Sequence, residues 1–294
     1  MNDPLAALRI DPSGLSAAES RLAKKIMADP TIVIDLTITD LAVLGETSPA
    51  TVARFAQTLG FSGYRQFRLE VAQALSREQA ERERFGLEED GVLIDDSAAE
   101  VASKIAYQEM RAIEQTAQGL DSDDIDACAR LLGSAQHIDV FGVGASALAA
   151  ADLHLKLTRI GLAAWHSVDV HLALVQAAHR GASDVAVGIT HSGMTPEVIE
   201  PLQLARSRGV RTIVISNAPG SPATAHADYV LVTKARESAF RIGAMSSRIA
   251  QLAVIDILFT RIVQKHSGGS REELQRTRRA IDQHTGLFRD TYSR

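Results

Sequence analysis

Aromatic residues are scarce in this chain: they make up only 4% of it, although 46% of its residues are hydrophobic. Its cores must therefore be built mainly from Ala, Leu, Ile and Val. Such residues are common where helices pack on parallel sheets, which favours an α/β fold over a β-sandwich. Cysteine is nearly absent as well, since Cys128 is the only one. A single cysteine excludes an intrachain disulfide and a zinc site with several cysteines, and it is typical of a reducing compartment.

Long apolar runs and an excess of positive charge are also missing. Because the sequence contains no apolar segment typical of a signal peptide and no run of about 18 apolar residues, we expect a cytoplasmic protein without membrane contact. The net charge of −5 provides no global field that would attract a polyanion. Any nucleic-acid binding must therefore come from a local patch. The histidines show no metal-ligand spacing, so neither a metal nor a cofactor is expected.

Hydrophobic periodicity changes along the chain and indicates two domains. Residues 15–76 carry a helical pattern, whereas residues 137–235 alternate short β-branched runs with helical stretches. The second pattern is typical of a parallel sheet with right-handed crossovers. We predict an α + α/β protein with a helical domain over residues 1–76, a charged and partly helical linker over 77–100, and a doubly wound parallel-sheet domain over 101–294. That last domain ends in two further helices.

Residues 38–75 have the pattern of two helices joined by a tight turn. Thr39 can cap a first helix that ends at Gly45, and Ser48 can cap a second helix whose first residue is Pro49. Apolar residues then recur at helical spacing and predict a buried face made of Val52, Phe55, Ala56 and Leu59. Helix-turn-helix proteins have this arrangement, but so do bundles that only mediate dimerisation. The pattern alone leaves both interpretations open.

Small and polar residues lie outside the buried face, near the N-terminus of the second predicted helix. This is the part of a recognition helix that meets base edges in the major groove. Hydroxyl and guanidinium groups bind phosphates or bases, and small side chains let the backbone come close. The residues predicted to contact DNA here and just beyond are Thr47, Ser48, Ala50, Thr51, Arg54, Arg65 and Arg68.

Three sequence blocks resemble the N-terminal helix-turn-helix of the RpiR family of bacterial transcriptional regulators: SAAESRLAKKIMADP, TITDLA and SPATVARFAQTLGFSGYRQFR. The third block is quite specific to that family. The resemblance implies operator DNA as a partner and favours DNA binding over a dimerisation bundle. Because reading a palindromic operator requires at least a dimer, we expect a homodimer or homotetramer.

Two glycine-containing loops follow predicted strands in the C-terminal half. The first, VFGVGASALA, matches the dinucleotide fingerprint G-x-G-x-x-G/A through Gly142, Gly144 and Ala147. Asp169 even lies where a ribose-binding acid would be expected. The second loop, ITHSGMTPEV, lines its turn with hydroxyls, whereas a dinucleotide site concentrates its phosphate contacts in the first turn. Two loops that converge at one edge of the sheet favour a site for one small anion. A dinucleotide site is the alternative.

The second loop has the composition of a phosphate site at a helix N-terminus. Thr195, followed by Pro196, predicts a helix start, where backbone N–H groups and the helix dipole favour an anion. Neither loop contains the Lys that a triphosphate with Mg²⁺ would call for, so a phosphate monoester fits better. Ordinary turns and caps would have the same spacing. The candidate ligands are the hydroxyls of Ser146, Thr190, Ser192 and Thr195, together with Gly144 and Gly193, which let a phosphate approach the backbone.

The C-terminal half resembles a sugar isomerase (SIS) domain, a phosphosugar-binding module. The resemblance lies in FGVGASALAAADLHLKLTRIG, the HSGMTPE turn and RESAFRIGAMSSRIAQLAVIDILF. By motif position it makes Ser146, Ser192 and Thr195 phosphate ligands. It also puts Thr190 and His191 at the start of the loop, and makes Glu237 the acidic residue that approaches the sugar.

Sugar isomerases and etherases share this module, and Glu237 with His191 can act as acid and base if both face the sugar. The attached helix-turn-helix favours binding over turnover. We therefore expect a regulator, not an enzyme, in which a phosphosugar effector alters operator affinity. The alternatives are a phosphosugar isomerase or etherase with a helical oligomerisation domain, and a regulator that senses a dinucleotide. The sequence does not identify the sugar, the operator or the sign of regulation.

Overall fold

The structure is a computed structural model that describes residues 15–87, 91–237, 243–265 and 270–292. It divides into two compact units, Met1–Tyr107 and Gln108–Arg294. The predicted linker over residues 77–100 is partly helical, as expected, because it contains the end of one helix and the start of the next. The domain limits drawn from the sequence stay predictions. Among the described helices, none combines the length and hydrophobicity that a membrane span requires.

The N-terminal unit is helical and has a core of its own. Its helices are α1 (Ala17–Ala28), α2 (Ile32–Asp35), α3 (Ile38–Leu44), α4 (Pro49–Thr58) and α5 (Tyr64–Arg84), and α6 (Ala98–Gly119) begins in it. In the core, the rings of Phe55 and Phe61 both contact Phe67. Three residues of the predicted inner face of α4, namely Val52, Phe55 and Ala56, are confirmed as buried. The fourth, Leu59, follows the last residue of α4 and packs against the core while only partly buried.

A hydroxyl side chain sets the start of each helix in the α3–α4 pair. Ser48 accepts a hydrogen bond from the backbone N–H three residues on, and Pro49 is the first residue of α4, as predicted. The prediction of Thr39 as the cap of α3 was wrong. Thr37 caps this helix, because it has the extended backbone of a cap residue and accepts from the N–H of Asp40.

The turn between α3 and α4 is closed by backbone hydrogen bonds that leave Glu46 in the left-handed region. The N–H groups of Glu46 and Thr47 donate back to the last turn of α3, which forms a Schellman motif. The φ angle of Glu46 is 52°, where glycine is the favoured residue. From α1, Arg21 donates to the carbonyl of Glu46 and Lys25 donates to that of Leu44. Helix α1 therefore holds this turn in place.

The C-terminal unit is built on a five-stranded parallel sheet with the order β2-β1-β3-β4-β5. The strands are β1 (Ile138–Phe141), β2 (Ala164–Ser167), β3 (Val185–Thr190), β4 (Arg211–Ser216) and β5 (Tyr229–Val232). Its further helices are α7 (Ser122–Ser134), α8 (Ala145–Arg159), α9 (Val170–Ala178), α10 (Pro196–Ser207), α11 (Ser246–Lys265) and α12 (Ser270–Tyr292). This topology confirms the predicted α + α/β fold with a doubly wound parallel sheet.

Two apolar cores lie on opposite faces of this sheet. Val185 and Val187 of β3 pack with α7, α8 and α11, whereas Ala186 between them packs with α9 and α10. Every residue of β3 is buried, as a central parallel strand requires. Cys128 of α7 lies in the first core, and burial raises the pKa of its thiol to about 12. The thiol is therefore protonated at neutral pH and packs as a small apolar side chain.

Glycine at position 46 should stabilise the N-terminal unit, because it removes the strain of a β-carbon in the left-handed region. We expect Glu46→Gly to increase the free energy of unfolding of this unit by about 1 kcal/mol. In the full-length protein, the slowest-exchanging amides of α3 and α4 should then exchange roughly fivefold more slowly. Glu46→Ala is the control, since it removes the same charge without relieving the backbone. Equal exchange in the two variants would contradict this account of the turn.

Candidate functional site

The carboxyl ends of β1 and β3 lie side by side because the two strands pair in parallel. Phe141 at the end of β1 is in register with Gly188, and β3 continues two residues further to Thr190. The loop after β1 leads into α8, and the loop after β3 leads into α10. Both helix N-termini therefore open at the same edge of the sheet, which is where ligands bind in doubly wound α/β folds.

A cavity of about 160 Å³ lies at this edge. Three segments line it: the loop after β1, the loop after β3, and the residues at the start of α11. The lining residues are Val143, Ala145, Ser146, Ile189, Thr190, His191, Ser192, Thr195, Ala244 and Ser247. Five of the predicted ligand residues are thus brought together here, namely Ser146, Thr190, His191, Ser192 and Thr195.

Ser146 is hydrogen-bonded to a buried glutamine, Gln251, that no local sequence pattern indicates. Gln251 of α11 is 1% exposed, and its Nε2 donates a hydrogen bond to Ser146 Oγ at 3.0 Å. A hydroxyl that accepts in this way keeps its own hydrogen for a second partner. The other amide atom of Gln251, Oε1, is buried and has no hydrogen-bond partner among the described residues. Gln251 thus orients the Ser146 hydroxyl as a donor.

The loop after β3 is closed by hydrogen bonds to its own hydroxyl groups. The N–H of Gly193 donates to Thr190 Oγ1, and the N–H of Met194 donates to Ser192 Oγ, each at 3.2 Å. Thr190 Oγ1 also lies 3.1 Å from Thr195 Oγ1, so the Thr190 hydroxyl can donate to Thr195. Since the oxygens of Ser192 and Thr195 then accept from the protein, their hydrogens are left to donate into the cavity.

The other predicted ligand residues, Gly144, Gly193 and Glu237, are not part of the described lining. Gly144 precedes α8 as its N-cap with a φ angle of 60°. Gly193 is buried, and a β-carbon there would collide with the side chain of Ser221. The Glu237 carboxylate accepts from the backbone N–H of Ser247 at 2.8 Å, so it adjoins the cavity through a lining residue. Direct ligand contacts of these three residues stay predictions.

The features that suggested a dinucleotide have structural roles. Asp169 caps α9, because its Oδ1 accepts from the N–H of Leu172 at 2.9 Å. At Gly142, a β-carbon would lie 2.7 Å from the carbonyl oxygen of Ser146, so this glycine permits close packing of β1 on α8. Within the described parts of the chain, there is no group of three or more His, Cys, Asp or Glu side chains that could hold a metal ion.

In the helical unit, four of the residues predicted to contact DNA lie just before α4 or in its first turn, and a fifth, Arg54, lies near the middle of this helix. Ser48, Ala50 and Arg54 are exposed, and Thr47 and Thr51 are partly buried. The hydroxyl oxygens of Ser48 and Thr51 are 2.9 Å apart, so one of them donates to the other. The first half of α4 therefore presents hydroxyl groups to solvent, followed by one guanidinium group.

The remaining two predicted DNA contacts, Arg65 and Arg68, are exposed on α5. The guanidinium of Arg68 donates to the backbone carbonyl of Ile34 and so joins α5 to α2. This bond gives Arg68 a structural role that the sequence did not indicate. DNA contacts by either arginine stay predictions.

Comparisons with known proteins agree with both halves of this description. The helix-turn-helix domain of the rpiR family matches residues 3–78, and the SIS domain matches residues 131–261. The transcriptional regulator TTE0211 of Caldanaerobacter subterraneus is 35% identical over 90% of this chain and 92% of its own. HexR of Escherichia coli is 30% identical over 91% of this chain and 90% of its own.

A solved structure, the Vibrio vulnificus NanR protein complexed with ManNAc-6P, is similar over 95% of this chain and 97% of its own. It has a TM-score of 0.60 and 27% sequence identity. The similarity to these relatives extends through both the helical unit and the sheet-containing unit. The chain therefore belongs to the RpiR family of helix-turn-helix transcriptional regulators that carry a SIS domain.

Proposed function

We propose that this regulator senses a phosphosugar, and that the ligand bound at the edge of the sheet changes the affinity of the helical unit for operator DNA. The observation that carries the proposal is the orientation of three hydroxyl groups, those of Ser146, Ser192 and Thr195. Ser146 accepts from Gln251 Nε2 and Ser192 accepts from the N–H of Met194, so both can donate their own hydrogens into the cavity. Thr195 can do the same when Thr190 is the donor of the hydrogen bond between their hydroxyls. A phosphate offers only acceptor oxygens when fully ionised, so it is the complementary partner.

The charge of the cavity supports a phosphate monoester. The described lining contains neither Lys nor Arg, whereas the helix N-termini and the hydroxyls at this edge can balance the negative charge of a phosphate. A triphosphate with Mg²⁺ would call for more than these groups supply. The complex of the similar NanR protein with ManNAc-6P supports an amino sugar phosphate as a first compound to test.

We infer that the protein binds this ligand without converting it. Glu237, the acid that a sugar isomerase would need near the sugar, is hydrogen-bonded to the first turn of α11 through Ser247 N–H. This bond is a structural use of the carboxylate and disfavours its role as a base. The relatives described above are transcriptional regulators. In a regulator, the free energy of ligand binding can change the affinity for DNA and need not drive catalysis.

We also propose that α4 reads the operator with its N-terminal end. Arg54 can donate to a base edge or a phosphate, and the exposed hydroxyl of Ser48 can donate to a phosphate. Ala50 is small and exposed, so the backbone can approach the groove closely. Because a regulator must reach operator DNA, we propose a cytoplasmic location.

Self-association is the third part of the proposal, because a palindromic operator needs two readers. Strand β2 is the last strand at its edge of the sheet. Large apolar side chains are exposed on this strand, in the loop that follows it and on the helices at either side: Leu148, Leu155, Trp165, Val168, Leu172 and Val175. Exposed apolar side chains grouped around one edge of a sheet are typical of an interaction surface. We propose that a second copy of the chain covers them.

Removing the cavity hydroxyls should weaken ligand binding and leave the fold intact. Ser192→Ala and Thr195→Ala should each cost roughly 1.5–3 kcal/mol, or about tenfold to hundredfold in affinity, because each removes a hydrogen bond to a charged group. The measurement is calorimetry with the sugar phosphate that most raises the melting temperature of the wild type, chosen from a panel that includes ManNAc-6P and NAD(H).

Ser207→Ala, at the opposite end of α10, is the matched control and should bind like the wild type. Unchanged affinity in both cavity variants would refute the pocket assignment. Stabilisation by NAD(H) in preference to every sugar phosphate would favour the dinucleotide alternative.

Arg54→Ala should weaken operator binding by about 5-fold to 150-fold, because a guanidinium contact to a base is worth roughly 1–3 kcal/mol. The probe is a duplex that the wild-type protein selects from a random-sequence library, measured by fluorescence anisotropy at several salt concentrations. Loss of a phosphate contact would in addition reduce the salt slope by about one. Arg206→Ala on α10 removes the same charge from the other unit and should have no effect. If Arg54→Ala and Thr51→Ala both bind like the wild type, α4 is not the reader.

A charge on the apolar surface should disrupt self-association. We expect sedimentation equilibrium to show a dimer or tetramer for the wild type and a smaller species for Leu172→Asp, because an aspartate cannot be buried without a partner. Leu172 is half exposed in the single chain, so the fold should tolerate this change. Leu69→Asp, at an exposed position on α5, is the control. A monomeric wild type, or an unchanged assembly in Leu172→Asp, would exclude this surface.

A further inference from the structure

Arg54, the proposed reader, lies against a carboxylate from another helix of the same unit. Its Nε is 3.6 Å from Glu19 Oε1 of α1. The two side chains differ sharply in exposure, since 65% of the Arg54 side chain is exposed and only 6% of the Glu19 side chain. Because the Glu19 side chain is buried, it has less freedom to move than the exposed Arg54 side chain. Glu19 is therefore the fixed member of the pair.

Glu19 is fixed by the start of its own helix. The backbone N–H and the hydroxyl of Ser16 donate to Glu19 Oε2 at 2.8 and 2.7 Å, and together with the Ser16 cap they form a capping box. The hydrogen bond from the Ser16 hydroxyl is the main cause that lowers the pKa of Glu19, so its side chain is ionised at neutral pH. These bonds occupy Oε2 and leave Oε1 facing α4.

Helix α4 meets Oε1 of Glu19 with two side chains one turn apart. The hydroxyl of Thr58 lies 3.4 Å from this oxygen and also 3.1 Å from the backbone carbonyl of Arg54. Arg54 contributes its Nε. A guanidinium has five N–H donors, and Nε carries only one of them. The contact with Glu19 therefore leaves four donors, on the two terminal amino groups, for another partner.

We propose that Glu19 is a positioning residue for DNA recognition, which holds the Arg54 guanidinium by its Nε so that the terminal amino groups face the operator. The inference rests on the proposed role of Arg54 in reading DNA. Two terminal amino groups in a fixed plane are the geometry with which arginine binds guanine in the major groove. Fixing the rotamer before binding avoids ordering a long side chain in the complex, which is worth roughly twofold to tenfold in affinity.

The charge of Glu19 by itself has the opposite effect. A carboxylate beside the reading helix repels the phosphate backbone, so its removal should leave non-specific DNA binding unchanged or stronger. Specific binding should nevertheless become weaker, because Arg54 loses its fixed position. Specific affinity should thus fall while non-specific affinity stays constant or rises. This opposite behaviour distinguishes a positioning role from a change of net charge and from a loss of stability.

The test is Glu19→Gln in the full-length protein. Glutamine retains the capping box, and amide exchange of α1 would verify that the helix is intact. We expect affinity for the selected duplex to fall roughly twofold to tenfold, while affinity for a scrambled duplex of the same length stays constant or rises. Glu70→Gln on α5 removes the same charge from the same unit and should leave the ratio of the two affinities unchanged.

A double-mutant cycle with Arg54→Ala tests whether the effect of Glu19→Gln on specific binding acts through Arg54. In the Arg54→Ala background, Glu19→Gln should no longer change the ratio of specific to non-specific affinity. An unchanged ratio in Glu19→Gln, with a lowered ratio in Arg54→Ala, would overturn the positioning role and leave the reading role intact. Tighter binding of Glu19→Gln to the selected duplex would show that Glu19 competes with DNA, and would also overturn it. Wild-type binding by Arg54→Ala would refute both roles.

Discussion

The parallel pairing of β1 with β3 is the constraint on which the ligand site depends. It brings the ends of two strands that are far apart in sequence to one edge of the sheet, and with them the starts of α8 and α10. Helix α11 packs beside α8 and supplies Gln251, whose Nε2 donates a hydrogen bond to the Ser146 hydroxyl. The cavity is therefore assembled from three segments that only the finished sheet brings together. A ligand that binds there would contact all three segments.

Helix α1 has a comparable role in the helical unit. Arg21 and Lys25 hold the carbonyl groups of the turn between α3 and α4, and Glu19 contacts the side chain of Arg54. One helix thus fixes both the angle of the helix-turn-helix and the side chain proposed to read DNA. A small displacement of α1 would disturb both features together.

Local patterns in the sequence predicted much of the fold and of the cavity, because helix caps and strand ends depend on neighbouring residues. Ser48 before a Pro marked the start of α4, and the hydroxyl-rich loop after β3 marked the cavity. Thr37 and Thr39 are both plausible caps from spacing alone, and only the backbone distinguishes them. The roles of Gln251 and Glu19 could not be predicted, because their partners lie 105 and 35 residues away and no local pattern encodes such pairs.

We propose that sugar phosphate binding and DNA binding are coupled, and coupling between two sites must be reciprocal. The decisive measurement compares the affinity for the selected duplex with and without saturating sugar phosphate, and the affinity for the sugar phosphate with and without the duplex. We predict that both affinities change by the same factor, about 5-fold to 150-fold. Unchanged DNA binding at saturating sugar phosphate, together with turnover that Glu237→Gln abolishes, would contradict the sensor and identify an enzyme.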